Sequence, residues 1–167
     1  MDRVTPSTQS SLPQRQEWMA TLAKASLNDL EQAKEQLSDI PCYRFLRAPE
    51  TGLTMVRGRA GGTGELFNLG EMTLTRCVIQ LNDVRDDEGA PLTGFGYVGG
   101  RSHRHAELAA LFDALLQHPD WFVTLHSTVI QSLRVKAQNK KDQQQRQTEA
   151  TRVNFLTLAR AETLERS

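Results

Sequence analysis

Residues 72–116 read MTLTRCVIQLNDVRDDEGAPLTGFGYVGGRSHRHAELAALFDALL, and the change of period inside them decides the fold. Met72 to Leu81 is β-branched and apolar enough for a strand. Asp83 to Pro91 is acidic and turn-like. Thr93 to Val98 returns as the second strand of a hairpin, with Gly94 and Gly96 marking a weak point or a close approach of another backbone. After Gly99-Gly100 the period becomes helical: Leu108, Leu111, Phe112, Leu115 and Leu116 fall on one stripe of a helix. Pro119 breaks that helix, and another starts near Asp120 with Phe122, Leu125, Val129, Ile130 and Leu133 on one face.

Upstream, Trp18, Met19, Leu22 and Ala25 recur at helical spacing behind Pro13, so a first helix spans about 14–25. Ser26 is the N-cap of a second helix, which carries Leu27, Leu30, Ala33 and Leu37 and ends before Pro41. Tyr43, Phe45 and Leu53 to Val56 read as short strands. Residues 136–149 are almost purely polar and form a solvated helical extension or a linker. Val153 to Ala159 (VNFLTLA) reads as a late strand returning to the sheet. The order implies an α+β fold with a mainly antiparallel sheet, an N-terminal helical pair and packed C-terminal helices. One domain over 14–167 follows a disordered lead-in at 1–13.

The chain has 167 residues, with 20 Lys+Arg against 20 Asp+Glu and no net charge, which disfavours a nucleic-acid binder. No apolar run approaches the length of a membrane span. The segment before Trp18 lacks the apolar stretch of a secretory signal, so Cys42 and Cys77 are expected as reduced thiols in a cytoplasm. Hydrophobic residues make up only 38% and aromatics 6%, the lean composition of a chain that completes itself on partners.

Four segments invite a chemical reading. In MVRGRAGGTG (Met55 to Gly64), Gly58, Gly61, Gly62 and Gly64 let a backbone approach a ligand, and Arg57 and Arg59 match phosphate-like oxygens. No Gly-Lys-Ser/Thr ends the segment, so it is no P-loop. It reads as an anion cradle or, alternatively, as a plain hairpin turn with solvated arginines. GRSHRHAEL (Gly100 to Leu108) opens a helix; its histidines lack the paired spacing of a zinc site, so no metal is expected. Arg101 and His105 are candidates for facing a partner there, or else polar first-turn residues. Arg76 stands beside Cys77 on the strand and is a further partner-facing candidate; Cys77 reads as a small buried hydrophobe rather than a nucleophile. The basic stretch from Gln131 to Arg152 lacks the interleaved aromatics of a nucleic-acid binder and reads as a solvated helix face or a helix laid on a partner.

ETGLTMVRGRAGGTGELFNLGEMTLTRC (Glu50 to Cys77), GYVGGRSHRHAELAALFDALL (Gly96 to Leu116) and VNFLTLARAE (Val153 to Glu162) together resemble the PhnG subunit family of the bacterial carbon–phosphorus lyase system. RQEWMATLAKA (Arg15 to Ala25) also fits. The resemblance implies a cytoplasmic hetero-oligomer with PhnI, PhnH and PhnJ subunits, active with PhnL. It implies a part in replacing the adenine of MgATP by an alkylphosphonate, the reaction of an alpha-D-ribose 1-methylphosphonate 5-triphosphate synthase. MgATP is then a substrate of the complex, and no cofactor is expected on this chain. The resemblance assigns no catalytic residue, and catalysis by this chain alone is not expected. A purely structural scaffold and a stand-alone nucleotide- or anion-binding protein are the alternatives.

Overall fold

The computed structural model describes residues 12–150 other than 87 and 88. Two helices come first, α1 (Leu12–Lys24) and α2 (Leu27–Glu35). Ser26 separates them as expected: its hydroxyl accepts the Asp29 N–H, filling one of the orphan donors of a helix start. Three strands follow in a meander, β1 (Tyr43–Arg59), β2 (Leu66–Arg85) and β3 (Pro91–Gly99), antiparallel throughout and ordered β1-β2-β3. Helix α3 (His103–Leu115) then crosses the sheet. Helices α4 (Pro119–Leu125) and α5 (Gln131–Ala150) are joined by a π-helical turn at His126–Ile130. The sheet is antiparallel and the class α+β, as the sequence implies.

Two outcomes differ from the sequence reading. The short strands around Tyr43 and Leu53 are one strand of 17 residues, because bulges between Phe45 and Glu50 break its alternation without ending its pairing. The strand expected over 72–81 extends from Leu66 to Arg85. The polar stretch 136–149 is helical, the first of the two readings its composition allowed. The late strand at 153–159 and most of the lead-in lie outside the described residues.

Helix α3 holds the core. Ten of its thirteen residues are buried, because it lies between the sheet and the other helices. Its approach to β3 needs glycine: a Cβ on Gly94 would sit 2.0 Å from the Ala110 carbonyl oxygen, and one on Gly96 2.0 Å from that of Ala106. Cys77, Ile79 and Leu81 of β2 face the same helix and are fully or almost fully buried. On its other side α3 meets Trp18, Leu22 and Leu30.

One acid sits in this core. Asp113 on α3 is fully buried and receives Arg15 (Nη2, 2.7 Å), the Trp18 indole N–H (2.9 Å) and the Phe95 backbone N–H (2.9 Å). Such an acid survives burial because every lone pair is occupied. The same cluster covers the outer edge of β3, where the Thr93 carbonyl accepts from Gln117 and Arg15.

Helix α5 is anchored at its start. Leu133 is buried there, Arg134 pairs with Glu17, and Lys136 pairs with Asp29 at 2.5 Å. Exposed ion pairs contribute about 0–1 kcal/mol each, whereas a buried leucine contributes about 1.5–3 kcal/mol, so Leu133 dominates. No helix among the described residues is long and apolar enough to cross a membrane.

Candidate functional site

Strands β1 and β2 outrun the rest of the molecule. β3 leaves β2 at the Leu74–Gly99 pair, yet β1 and β2 stay paired to Arg59–Leu66. From Gly52 outward they form a two-stranded arm about 25 Å long, at roughly 3.3 Å per residue. Its root is pinned by polar contacts. The buried Thr75 hydroxyl donates to the Gly100 carbonyl at 2.7 Å and bonds the Thr51 hydroxyl, which in turn meets His103 Nε2 at 3.1 Å.

The glycine-rich segment forms the tip. Ala60–Gly62 make a single tight turn in which Gly61 adopts φ +60°. The Gly64 N–H closes it on the Ala60 carbonyl, and Arg59 Nη1 donates to the Gly64 carbonyl at 2.9 Å. A Cβ on Gly64 would stand 2.9 Å from the Ala60 oxygen. Gly58 belongs to β1, where a Cβ would strike the Leu69 side chain. These glycines therefore shape the arm as well as expose its backbone.

The register sorts the arm into two unlike faces. Directly paired residues share a face and alternate along each strand. Leu53, Met55, Arg57 and Arg59 share one face with Leu66, Asn68, Glu71 and Thr73. Thr54, Val56 and Gly58 share the other with Phe67, Gly70 and Met72. The slip between Val56 and Arg57 leaves Leu69 as the extra residue, and its contact with Gly58 puts it on this second face. Arg57 and Arg59, both exposed, thus stand together on one side of the arm, and no charge stands on the other.

The partner-facing candidates separate. Arg101 is exposed at the start of α3. Arg76 is exposed on the outer sheet face, where Nε meets Glu50 Oε1 at 2.6 Å, and Arg47 binds the same oxygen at 2.6 Å. Those two hydrogen bonds, Arg47 first, hold the Glu50 carboxyl below the usual carboxylate range. His105 is a correction: it is 8% exposed and its Nε2 bonds the Leu22 carbonyl at 2.9 Å, so it faces α1 and not a partner. The contact comes from α1, 83 residues earlier in the chain, whereas His103, two residues before His105, is exposed and meets Thr51.

The sequence reading missed a second polar cluster behind the arm. The Tyr43 hydroxyl donates to Glu107, whose other oxygen receives Arg104 at 3.0 Å. Burial, and then the bond to Glu107, push the Tyr43 phenol up to about 12. Burial, followed by the Glu107 charge, pushes the Cys77 thiol up to about 11. A thiol so raised is protonated at neutral pH, which supports the reading of Cys77 as a packed hydrophobe. Among the described residues no three His, Cys, Asp or Glu side chains converge as a metal site.

Together these elements make a small α+β body with a projecting, arginine-bearing arm. Its family is specific. Residues 13–161 match the model of the family described as phosphonate metabolism protein PhnG. The chain is also 38% identical over 165 residues to a protein of Rhizobium meliloti (strain 1021), covering 97% of this chain and 99% of that one. That relative is named alpha-D-ribose 1-methylphosphonate 5-triphosphate synthase subunit PhnG. The chain belongs to the PhnG family.

Proposed function

We propose that this chain is an accessory subunit of a cytoplasmic alpha-D-ribose 1-methylphosphonate 5-triphosphate synthase, acting beside PhnI, PhnH and PhnJ subunits and with PhnL. In that reaction a phosphonate oxygen attacks C1′ of the ribose of MgATP. The C1′–O bond forms, the bond from C1′ to adenine breaks, and adenine leaves with a proton. Both substrates are polyanions, so bringing them together requires positive charge that water does not screen.

The observation that carries the reading is the placement of Arg57 and Arg59 on one face of an arm that stands clear of the body. Guanidinium groups bind phosphate-type oxygens in pairs of hydrogen bonds and stay charged at all relevant pH. An arm of this length delivers them to a site built mainly by another chain. They bind and orient anionic substrate; the bond-breaking groups belong to the partner. The Gly61 and Gly64 turn keeps the tip narrow, and the backbone N–H groups of Gly58 to Gly64, with Gly62 among them, are the remaining candidates for anion contact.

Replacing Arg57 and Arg59 together by Ala is expected to lower adenine release by the assembled enzyme at least tenfold, with the same subunits co-purifying. Unchanged release with unchanged assembly rejects the substrate role. A second reading, a purely structural subunit, draws on the bond from Arg59 to the Gly64 carbonyl. It requires the double variant to lose assembly rather than turnover alone.

A further inference from the structure

The second face of the arm does not stop at its root. Through the β2–β3 register it runs on into the outer face of the whole sheet, where Phe95 and Tyr97 of β3 stand beside Val78 and Arg76. Helix α3 packs on the opposite face, and α1 reaches only the β3 margin, where the Arg15 guanidinium stands 5.5 Å from the centre of the Phe95 ring; the described elements leave the rest of this face uncovered. Its exposed apolar residues are continuous: Phe67, Leu69 and Met72 on the arm (46%, 60% and 42% exposed) lead to Tyr97 and Phe95 on the body (46% and 36%). Monomers seldom expose a continuous apolar track of this kind. A two-stranded ribbon is also marginal in water on its own, so the arm needs a surface to lie on.

Charge narrows what that surface is. From Gly52 and Leu74 out to Gly58 and Phe67 this face has no charged side chain. At the body end it has three arginines, Arg44, Arg47 and Arg76, against the single acid Glu50. A matching surface is apolar along its length and acidic at one end, since an unpaired buried charge on either side would be costly. The other exposed large apolar residues on the described helices, Leu12, Val123 and Val135, stand singly. Leu53, Met55 and Leu66 are exposed too, but they share their face of the arm with Arg57, Arg59 and Glu71, so it is the absence of charge that marks the outer face as the one suited to burial against an unlike chain.

We propose that the uncharged face of the arm, with the outer sheet face continuing it, docks a different subunit of the synthase through an apolar track that ends in carboxylates opposite Arg47 and Arg76. The inference rests on the reading of the chain as a synthase subunit, and it fixes the polarity of the arm. One face is buried in the partner; the face with Arg57 and Arg59 stays open to substrate.

Asn68 and Leu69 are adjacent in sequence and lie on opposite faces, which gives a matched test. The full chain, tagged, is co-expressed with the other synthase subunits, and the assembly is weighed by native mass spectrometry. Leu69→Asp is expected to reduce co-purified partner at least tenfold, whereas Asn68→Asp leaves it within twofold. Circular dichroism and tryptophan emission of both variants are expected to match the parent, because neither residue touches the core. A photo-crosslinking residue in place of Phe67 provides a readout independent of folding defects, and its adduct is expected on a different synthase subunit.

An adduct solely on a second copy of this chain, or on its own residues 151–167, overturns the proposal. So does assembly that survives Leu69→Asp, or that is lost equally with Asn68→Asp. If the parent chain runs alone in the presence of all the subunits, the synthase reading falls and takes the docking face with it. If assembly depends on Leu69 but turnover ignores Arg57 and Arg59, the docking face stands and only the substrate role falls.

Discussion

Asp113 shows how much one side chain can organise. It interrupts the apolar run LFDALL, so the sequence displays it as an acid among leucines, but nothing nearby says what it binds. Its partners lie 98, 95 and 18 residues away. Removing it leaves the Trp18 and Phe95 N–H groups without an acceptor and Arg15 without its counter-ion. Asp113→Ala is expected to cost about 3–5 kcal/mol, the usual range for breaking a buried pair from one side, measured by urea unfolding. A loss below about 1 kcal/mol would show that water replaces the carboxylate. His105 carries the complementary lesson. Spacing places His103 and His105 on different sides of a helix, yet only the packing of α1 tells which side is inside.

Elements were legible where their chemistry is local. The Ser26 cap, the helical stripe of α3 and the break at Pro119 depend on neighbours within one or two turns, and all three appear where the sequence puts them. The arm was not legible, because its existence depends on pairing across 7 to 22 residues while the slip at Val56 breaks the period-two signal that marks a strand. Its two-faced character was in fact written in the alternation of Val56 and Gly58 against Met55, Arg57 and Arg59, but reading it requires the register. Gly94 and Gly96 were legible as a possible close approach, and the structure gives the reason. Gly96→Ala is expected to destabilise the fold by more than about 2 kcal/mol, since its new methyl meets backbone that cannot rotate away. Gly52→Ala, with nothing within 4 Å, is expected to stay within about 0.5 kcal/mol. Comparing the thermal midpoints of the two variants checks both.

For the molecule as a whole, two raised acids set an alkaline limit. Tyr43 and Cys77 keep their protons in the folded chain at pH values where the unfolded chain releases them, near 10.0 and 9.0. The unfolded state then binds fewer protons, so stability falls as pH rises. Their contribution is complete below about pH 9 and is lost as pH passes through about 11 and then about 12. The melting temperature is expected to fall steadily across that window, and Tyr43→Phe is expected to flatten its upper part. A profile of Tyr43→Phe identical to the parent would assign the loss to other groups.

The cluster around Asp113 has one more effect, on how sheets join. Strand edges are where proteins polymerise, because an unpaired edge offers hydrogen bonds to any passing strand. Here the β3 margin already spends its Thr93 oxygen and Phe95 nitrogen on side chains, whereas the β1 margin bears no further strand among the described residues. The β3 margin is thus partly closed to a further strand, while the β1 margin and the arm edge of β2 beyond Leu74 carry none among the described residues. A strand from another chain would therefore enter along β1 or the arm rather than at the body end of β3, so the acid that holds the core together also steers where foreign backbone can pair.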